Sequence, residues 1–312
     1  MRAAVVARYG PPDVVSIAEV PAPVPKRKEV LVRVIATAVT AGDARIRGGR
    51  FPRGFGGPAR LAFGVRGPRR PVLGVVFSGV VEAVGADVAD LAPGDEVSGM
   101  TGARMGAHAE LVAVPAARAV RKPAEVTHED AAGLLFGGTT ALHFLRGVDR
   151  GTSVLVNGAS GAIGTNAVQL AKHLGATVTA VTSGANADLV AGLGADRVID
   201  YTTTPLAGVT ERFDVVLDAV GVLSPATGRR LLTDGGVLVL AAANLAETVV
   251  PRRWVEAGVA AERAEDVAFL LERVAKGELS VVLDEVVDLD GIVAAYRRVD
   301  SGRKVGNLVL RP

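Results

Sequence analysis

The chain has 312 residues, 49% hydrophobic but only 4% aromatic, enough for two domains with cores of valine, leucine and alanine. Its 35 basic residues nearly cancel its 33 acidic ones, and a net charge of +2 gives no field suited to nucleic acid or an anionic membrane. It contains no cysteine, which excludes disulfides, thiolate nucleophiles and cysteine-ligated zinc.

Met1 leads straight into a strand-like run, Arg2–Arg8, without a charged-then-apolar leader. No stretch approaches the roughly 18 apolar residues of a membrane span, so a soluble cytoplasmic protein is expected. Up to about Lys122 the signals are β: short runs of Val and Ala cut by Gly and Pro. The clearest are Val14–Val20, Glu29–Ala38, Gly74–Gly85, Gly94–Val97 and Ala107–Pro115. Lys26-Arg27-Lys28 reads as a solvated charge run in a proline-rich turn. Arg50–Pro71 reads as a long loop with six arginines and four prolines, a surface excursion beside a substrate cleft. A nucleic-acid patch would want a broader positive excess and stacking aromatics.

Beyond Lys122 strand and helix alternate. Strands near 152–157, 177–182, 196–200, 213–218 and 236–242 are continuous apolar runs, as in a parallel doubly wound sheet covered on both faces. After Asn244 a helix near Ala264–Lys276, a strand at Val281–Val287, a helix near Leu289–Val299 and a strand at Val305–Leu310 are read as returning to the first domain.

The most specific signal lies at the start of the alternating region. Val154–Asn157, Gly158-Ala159-Ser160-Gly161-Ala162-Ile163-Gly164 and Thr165–Gly175 read as strand, glycine-rich turn and helix. That order leaves backbone N–H groups and the positive end of a helix facing the turn, which suits a pyrophosphate. Against the pattern G-x-G-x-x-G, Ala159 takes the first place, with Gly158 beside it to absorb the strained turn. Gly161 would let phosphates approach, and Gly164 would let the helix pack close on the sheet. Ser160, Gly161, Ala162, Ile163 and Gly164 are therefore candidate cofactor contacts.

NAD-specific sites place Asp or Glu about 20 residues past this motif to hold the ribose 2′-OH. Here the strand Thr177–Thr182 runs into Ser183-Gly184-Ala185-Asn186, with no acid before Asp188. Ser183 and Asn186, next to Thr182, can donate to a 2′-phosphate that a carboxylate would repel. NADPH is expected over NADH. Tyr201 and Lys304 either complete that phosphate site or are a strand-end tyrosine and a solvated lysine.

Ala38–Gly49, Leu73–Val81, Pro93–Val97, Gly138–Leu142, the glycine turn, Gly192–Tyr201 and Gly302–Asn307 together resemble the medium-chain dehydrogenase/reductase superfamily. The likeness is to its zinc-free quinone oxidoreductase-like (zeta-crystallin-like) branch and runs over essentially the whole chain. It implies an α/β fold in two domains. A GroES-like, mostly β catalytic domain would comprise residues 1–122 and 256–312, and a Rossmann doubly wound parallel-sheet domain residues 123–255. It also implies a homodimer joined through the edge strands of the nucleotide-domain sheets.

Zinc-using relatives carry Cys at the place of Thr40 and a His-Glu pair where this chain has Val75-Val76. Their four-cysteine loop is missing between Val97 and Ala107. The four histidines, His108, His128, His143 and His173, show no ligand spacing, so no zinc is expected. Reducing a simple ketone without a metal would need a positioned Tyr or Lys, and the matching segments offer none. Quinones and conjugated enones need less, because charge spreads onto an oxygen that hydrogen-bond donors can stabilise.

In this resemblance Thr40 faces the substrate, where many quinone reductases have Asn, and could donate one hydrogen bond. Asp43 is either a cleft residue or the cap of the following helix. Arg45 and Arg47 either attract an anionic or carbonyl-bearing substrate or are solvated arginines on a helix. Thr140 matches the position that touches the nicotinamide, and Thr139 would cap the helix through Phe144. Past the strand ends, Val220, Ala242 and Asn244 are expected to line the cofactor, and Gly258-Val259 to approach its carboxamide. The expected activity is metal-independent, NADPH-dependent hydride transfer to a quinone or α,β-unsaturated carbonyl. The alternatives are an enoyl or alkenal reductase of a biosynthetic pathway, and an NADPH-binding interaction protein without turnover.

Overall fold

A computed structural model describes residues 1–312. β1 (Arg2–Val6) and β2 (Val15–Glu19) form an antiparallel pair, and β3 (Glu29–Ala38) follows. α1 (Ala41–Gly48) and α2 (Gly56–Phe63) occupy the long crossing to β4 (Val76–Val84). β5 (Glu96–Met100), β6 (Leu111–Pro115) and β7 (Ala119–Arg121) complete the β-rich first half. α3 (His128–Phe144) then leads to β8 (Ser153–Asn157), α4 (Ala162–His173) and β9 (Thr177–Thr182). α5 (Ala187–Gly192), β10 (Arg197–Asp200), β11 (Phe213–Asp218), α6 (Pro225–Gly228) and β12 (Leu232–Leu240) continue the alternation. α7 (Leu245–Val249), β13 (Val255–Ala257), α8 (Ala264–Ala275), β14 (Leu283–Asp288), α9 (Ile292–Asp300) and β15 (Asn307–Arg311) end the chain.

Two large sheets result. One has seven strands in the order β14-β15-β3-β4-β5-β7, with β6 also paired to β3. It is antiparallel except for β14 and β15, so the C-terminal strands do join the first half. The other has six parallel strands in the order β10-β9-β8-β11-β12-β13. This is a GroES-like β half with a Rossmann-type doubly wound half. Chain order reverses between β8 and β11, and ligands of such sheets sit at that switch point beyond the carboxyl ends of the strands.

The Val and Leu runs fill both faces of the parallel sheet, as covered strands require. Val154, Val156, Val178 and Leu217 pack against α3, α4 and α8 in one core, while Leu155, Val181, Val216 and Leu238 fill a second core on the opposite face. The first of these cores continues through α3 to Ala36, Ala38, Val76 and Val309 of the seven-stranded sheet. β13 straddles position 255/256, where the division between domains was expected.

Two local expectations need correction. Arg50–Pro71 is not an open loop, because α2 forms inside it. Pro58 falls in the first turn, where its missing N–H costs nothing, and Phe63 at the helix end stacks on Phe51 with ring centroids 5.9 Å apart. Thr139 caps no helix, because α3 runs unbroken through it, and its hydroxyl donates instead to the Leu135 carbonyl at 2.6 Å.

Candidate dinucleotide and substrate site

The glycine turn joins β8 to α4 at the switch point. Gly158 takes φ +82, a left-handed conformation that favours glycine. A Cβ on Gly164 would stand 2.1 Å from the Gly158 carbonyl oxygen, so only glycine lets α4 seat on the turn. A Cβ on Gly161 would meet nothing nearer than that same oxygen at 3.4 Å, which leaves open space above the turn. The N–H groups of Ala162, Ile163 and Gly164, at the start of α4, have no protein acceptor. Open space, free donors and a helix N-terminus fit a pyrophosphate.

At the end of β9 the polar side chains converge. Ser160 Oγ accepts from the Thr182 hydroxyl at 2.9 Å and from the Asn186 amide at 3.2 Å, and that amide also reaches Ser183 Oγ at 3.3 Å. The structure thus brings Ser160, Thr182, Ser183 and Asn186 into one patch. Lys304 lies close by. Its ammonium donates to the Gly306 carbonyl, and the Gly306 N–H donates to the Ser160 carbonyl at 2.7 Å. Burial lowers the Lys304 pKa to about 8, against the attraction of Asp284. The Tyr201 N–H donates to the Thr182 carbonyl at 3.1 Å, but its side chain is exposed and makes no hydrogen bond.

Asp200 was missed in the sequence because it ends the neighbouring strand, β10. The parallel register sets it opposite Thr182. Its carboxylate comes so near Gly184 that a Cβ there would meet it at 2.5 Å. The hydroxyl and N–H of Thr202 hold the Asp200 carboxyl below its ordinary range. The signal was a strand ending in Asp beside a strand ending in Thr, which only the register converts into proximity.

Asp218, fully buried at the end of β11, was also overlooked as an organiser. It accepts from the N–H groups of Val220 (3.0 Å), Gly221 (3.1 Å) and Leu223 (2.7 Å) and from the Asn157 amide (2.9 Å). This presses Val220 against the glycine turn, where a Cβ on Gly158 would meet it at 2.6 Å. Ala242 lies beside Gly221, and both border a cleft of about 290 Å³ that separates the two halves. Asn244 lines the same cleft, but its side-chain oxygen accepts from the Glu247 N–H as the N-cap of α7. Val259 is 94% exposed and borders no part of this cleft, so the structure does not bring it to the other candidates. A larger groove of about 530 Å³ beside Asp87–Leu91 contains none of the candidate residues.

Thr40 and Asp43 form a capping box at the start of α1. The Thr40 hydroxyl donates to Asp43 at 2.6 Å and accepts from the Asp43 N–H at 3.1 Å. Asp43, fully buried, also accepts from the N–H groups of Thr40 (3.0 Å) and Gly74 (3.2 Å). The Thr40 proton is therefore committed to Asp43 rather than offered to a substrate. Thr140 donates to the Phe136 carbonyl at 2.8 Å. The Phe136 ring, not anticipated from the sequence, flanks Gly42, where a Cβ would lie 3.7 Å from it and 3.3 Å from the Thr40 hydroxyl. Arg47 is neither solvated nor in the cleft: it is fully buried, bonded to Asp300 at 2.5 Å and stacked on Tyr296 at 5.0 Å.

A β-rich half facing a parallel sheet across a cleft, with a glycine turn and a helix N-terminus at the switch point of that sheet, is the architecture of a dinucleotide-dependent oxidoreductase. Comparison with known proteins gives the family. A profile described as alcohol dehydrogenase GroES-like domain matches residues 26–124, and one described as zinc-binding dehydrogenase matches residues 193–310. The chain is 31% identical to a 2-methylene-furan-3-one reductase of Solanum lycopersicum, over 97% of this chain and 77% of that one. It is 34% identical to a chloroplastic NADPH-dependent alkenal/one oxidoreductase of Arabidopsis thaliana, over 77% and 62% respectively. A chloroplastic quinone oxidoreductase of Triphysaria versicolor is 30% identical over 94% and 93%. Among solved structures, the quinone oxidoreductase of Coxiella burnetii superposes with a TM-score of 0.89 at 26% identity, over 100% and 99% of the two chains. A mycobacterial protein in complex with NADPH superposes with a TM-score of 0.82 at 27% identity, over 100% of both. The chain belongs to the medium-chain dehydrogenase/reductase superfamily, in its quinone oxidoreductase-like branch.

The zinc in one profile's description does not fit the residues present. Val75 and Val76 have no ligand atom, the Thr40 hydroxyl is committed to Asp43, and the chain lacks cysteine. The His108 ring is bonded to the Ala38 carbonyl at 3.1 Å, and no three His, Asp or Glu side chains are grouped to hold an ion.

Proposed function

We propose that this chain is an NADPH-dependent, metal-independent reductase of quinones or α,β-unsaturated carbonyls. The observation that carries the reading is the polar patch at the end of β9, whose own chain holds no acid before Asp188 and where Ser160, Thr182, Ser183 and Asn186 meet beside the free N–H groups of α4. The relatives named for NADPH-dependent alkenal/one and quinone reduction support it.

Bound NADPH supplies the hydride. The N–H groups of Ala162, Ile163 and Gly164 would hold its pyrophosphate, and Ser183, Asn186 and Lys304 would take its 2′-phosphate. Asp200 opposes that phosphate and limits the preference for NADPH over NADH. Val220 and Ala242 fix the ribose and nicotinamide side through backbone and van der Waals contact. Thr140 and Thr40 face the reacting end, and Asp43 is a positioning residue that fixes the Thr40 hydroxyl. No acid is free to polarise a simple ketone, so the site relies on orientation, exclusion of water and an acceptor that is already electron-poor.

We further propose that residues 1–122 and 256–312 serve the substrate and residues 123–255 the nucleotide. Two copies would join along the β13 edge, which is paired on one side only and flanked by the exposed Val249, Val250 and Val259. A sedimentation mass of one chain would contradict the dimer. The cytoplasmic location rests on the sequence alone.

The test is oxidation of NADPH and NADH with an ortho-quinone, a para-quinone and a 2-alkenal, followed by loss of reduced-nicotinamide absorbance. Acceptor-dependent turnover favouring NADPH is expected. An alkenal ranking above both quinones would select the alkenal reductase reading. Absence of NADPH oxidation with every one of these acceptors, by folded, NADPH-saturated protein, would defeat the reductase reading and favour a binding protein.

A further inference from the structure

The cleft between the two halves has an asymmetric lining. Val220, Gly221, Ala242 and Asn244 stand on the nucleotide side, and Arg45, Arg50 and Arg53 on the other. Arg45, in the last turn of α1, is half-buried, yet its guanidinium makes no hydrogen bond or ion pair with any protein group. Loss of water and the neighbouring Arg50 pull its pKa below the ordinary arginine range. Arg50 pairs with Asp300 and Arg53 is exposed. The one carboxylate on the lining, Glu247, is engaged at 2.8 Å by the Asn244 N–H.

Arg47, two positions further along the same helix, shows how this fold treats an arginine it uses for structure. It is fully buried, bonded to the Gly10 carbonyl at 2.9 Å and to Asp300 at 2.5 Å. Arg45 has no such partner. A half-buried guanidinium with no protein partner keeps its donors free for an incoming anion. The nucleotide's pyrophosphate does not need it, because the start of α4 already supplies free donors.

We propose that Arg45, with Arg50 and Arg53 at the mouth of the cleft, selects electron acceptors that carry a carboxylate, sulfonate or phosphate group. The substrates would then be anionic quinones or enones, whose oxyanions match a guanidinium fork at two points. This inference rests on the reductase reading above.

The experiment compares a naphthoquinone with its sulfonated analogue on the NADP⁺-loaded protein by calorimetry, and by kcat/KM with NADPH. Wild type is expected to prefer the sulfonate by about tenfold or more, the scale of one charge-assisted hydrogen-bonded pair. In Arg45→Ala the ratio should fall several-fold toward one, with Arg50 and Arg53 leaving a remainder, and Arg45→Lys should restore part of the loss. Because the readout is a ratio, general damage to the fold cancels. No preference in wild type, or an undiminished preference in Arg45→Ala, overturns the proposal. So does a variant that loses NADPH affinity and keeps its acceptor ratio, since Arg45 would then serve the nucleotide. Selective binding of the sulfonate without turnover of either quinone would sustain the anion site and defeat the reductase reading, so the two failures are distinct.

Discussion

Lys304 stands half-buried beside the glycine turn with a pKa of about 8, pulled down from 10.5 by loss of water. Below pH 8 it is charged and, on the proposed reading, would attract the 2′-phosphate; above pH 8 that attraction would be lost. NADPH affinity is expected to fall by up to about tenfold per pH unit above 8, and Lys304→Met should flatten that profile. A wild-type profile that stays flat between pH 7 and about 9 would remove Lys304 from the site. The effect on folding runs the other way. Between about 8 and 10.5 the unfolded chain holds the extra proton, so this lysine's contribution to stability is full above 10.5 and is lost as pH falls through 8. The residue-scale reading of the sequence named Ser160, Thr182, Ser183 and Asn186 together, and their side chains do meet in one patch, as the regular strand–turn–helix–strand spacing requires. It did not reach the commitments of side chains. That Arg47 is buried against Asp300 and that Asp200 faces Gly184 depend on a pairing remote in sequence or on strand register, whereas the Thr40–Asp43 capping box is local and was one of the two readings open for Asp43.

Elements were legible wherever burial imposed a strong pattern. β3, β9 and β11 match their expected bounds because each is a run rich in Val, Leu, Ile, Ala or Thr that fits a covered strand. α2 was hidden because Gly56, Gly57 and Pro58 read as loop, whereas a helix tolerates all three in its first turn when Phe63 has Phe51 to stack on. The turn before α4 makes a sharper test, since its two glycines do different work. Gly164→Ala puts a methyl 2.1 Å from the Gly158 carbonyl oxygen and must lift the helix from the turn. Gly161→Ala meets only an ordinary contact at 3.4 Å, and its φ of −83 suits alanine. Gly164→Ala should therefore lower the melting temperature and NADPH affinity together. Gly161→Ala should melt like wild type but bind NADPH about tenfold or more weakly, because its methyl enters the phosphate space. Equal melting of the two variants would mean that α4 does not depend on that close approach.

At the scale of the molecule, the C-terminal segment closes the first half. Leu289, Ile292, Ala295, Tyr296, Leu308 and Leu310 complete a core with Ala4, Val6, Val39 and Leu73. Within that union Arg47 of α1 meets Asp300 of α9, across 253 positions of sequence. Asp300→Ala leaves the Arg47 charge fully buried without a counter-ion, a loss of about 3–5 kcal/mol in urea unfolding. The shape of the transition is as informative as its midpoint. The core around α3 is continuous from Ala36 and Val309 of the first half to Val156 and Leu217 of the nucleotide half. The halves therefore share packing that cannot be lost on one side alone, and unfolding should be cooperative across both. The single tryptophan, Trp254, packs on the far core of the nucleotide half, remote in the chain from α1 and α9. In Asp300→Ala its fluorescence transition should move to lower urea together with the circular dichroism signal. If Trp254 kept its wild-type midpoint while part of the helical signal melted early, the halves would be separable. α3 would then be a hinge between them rather than a common wall.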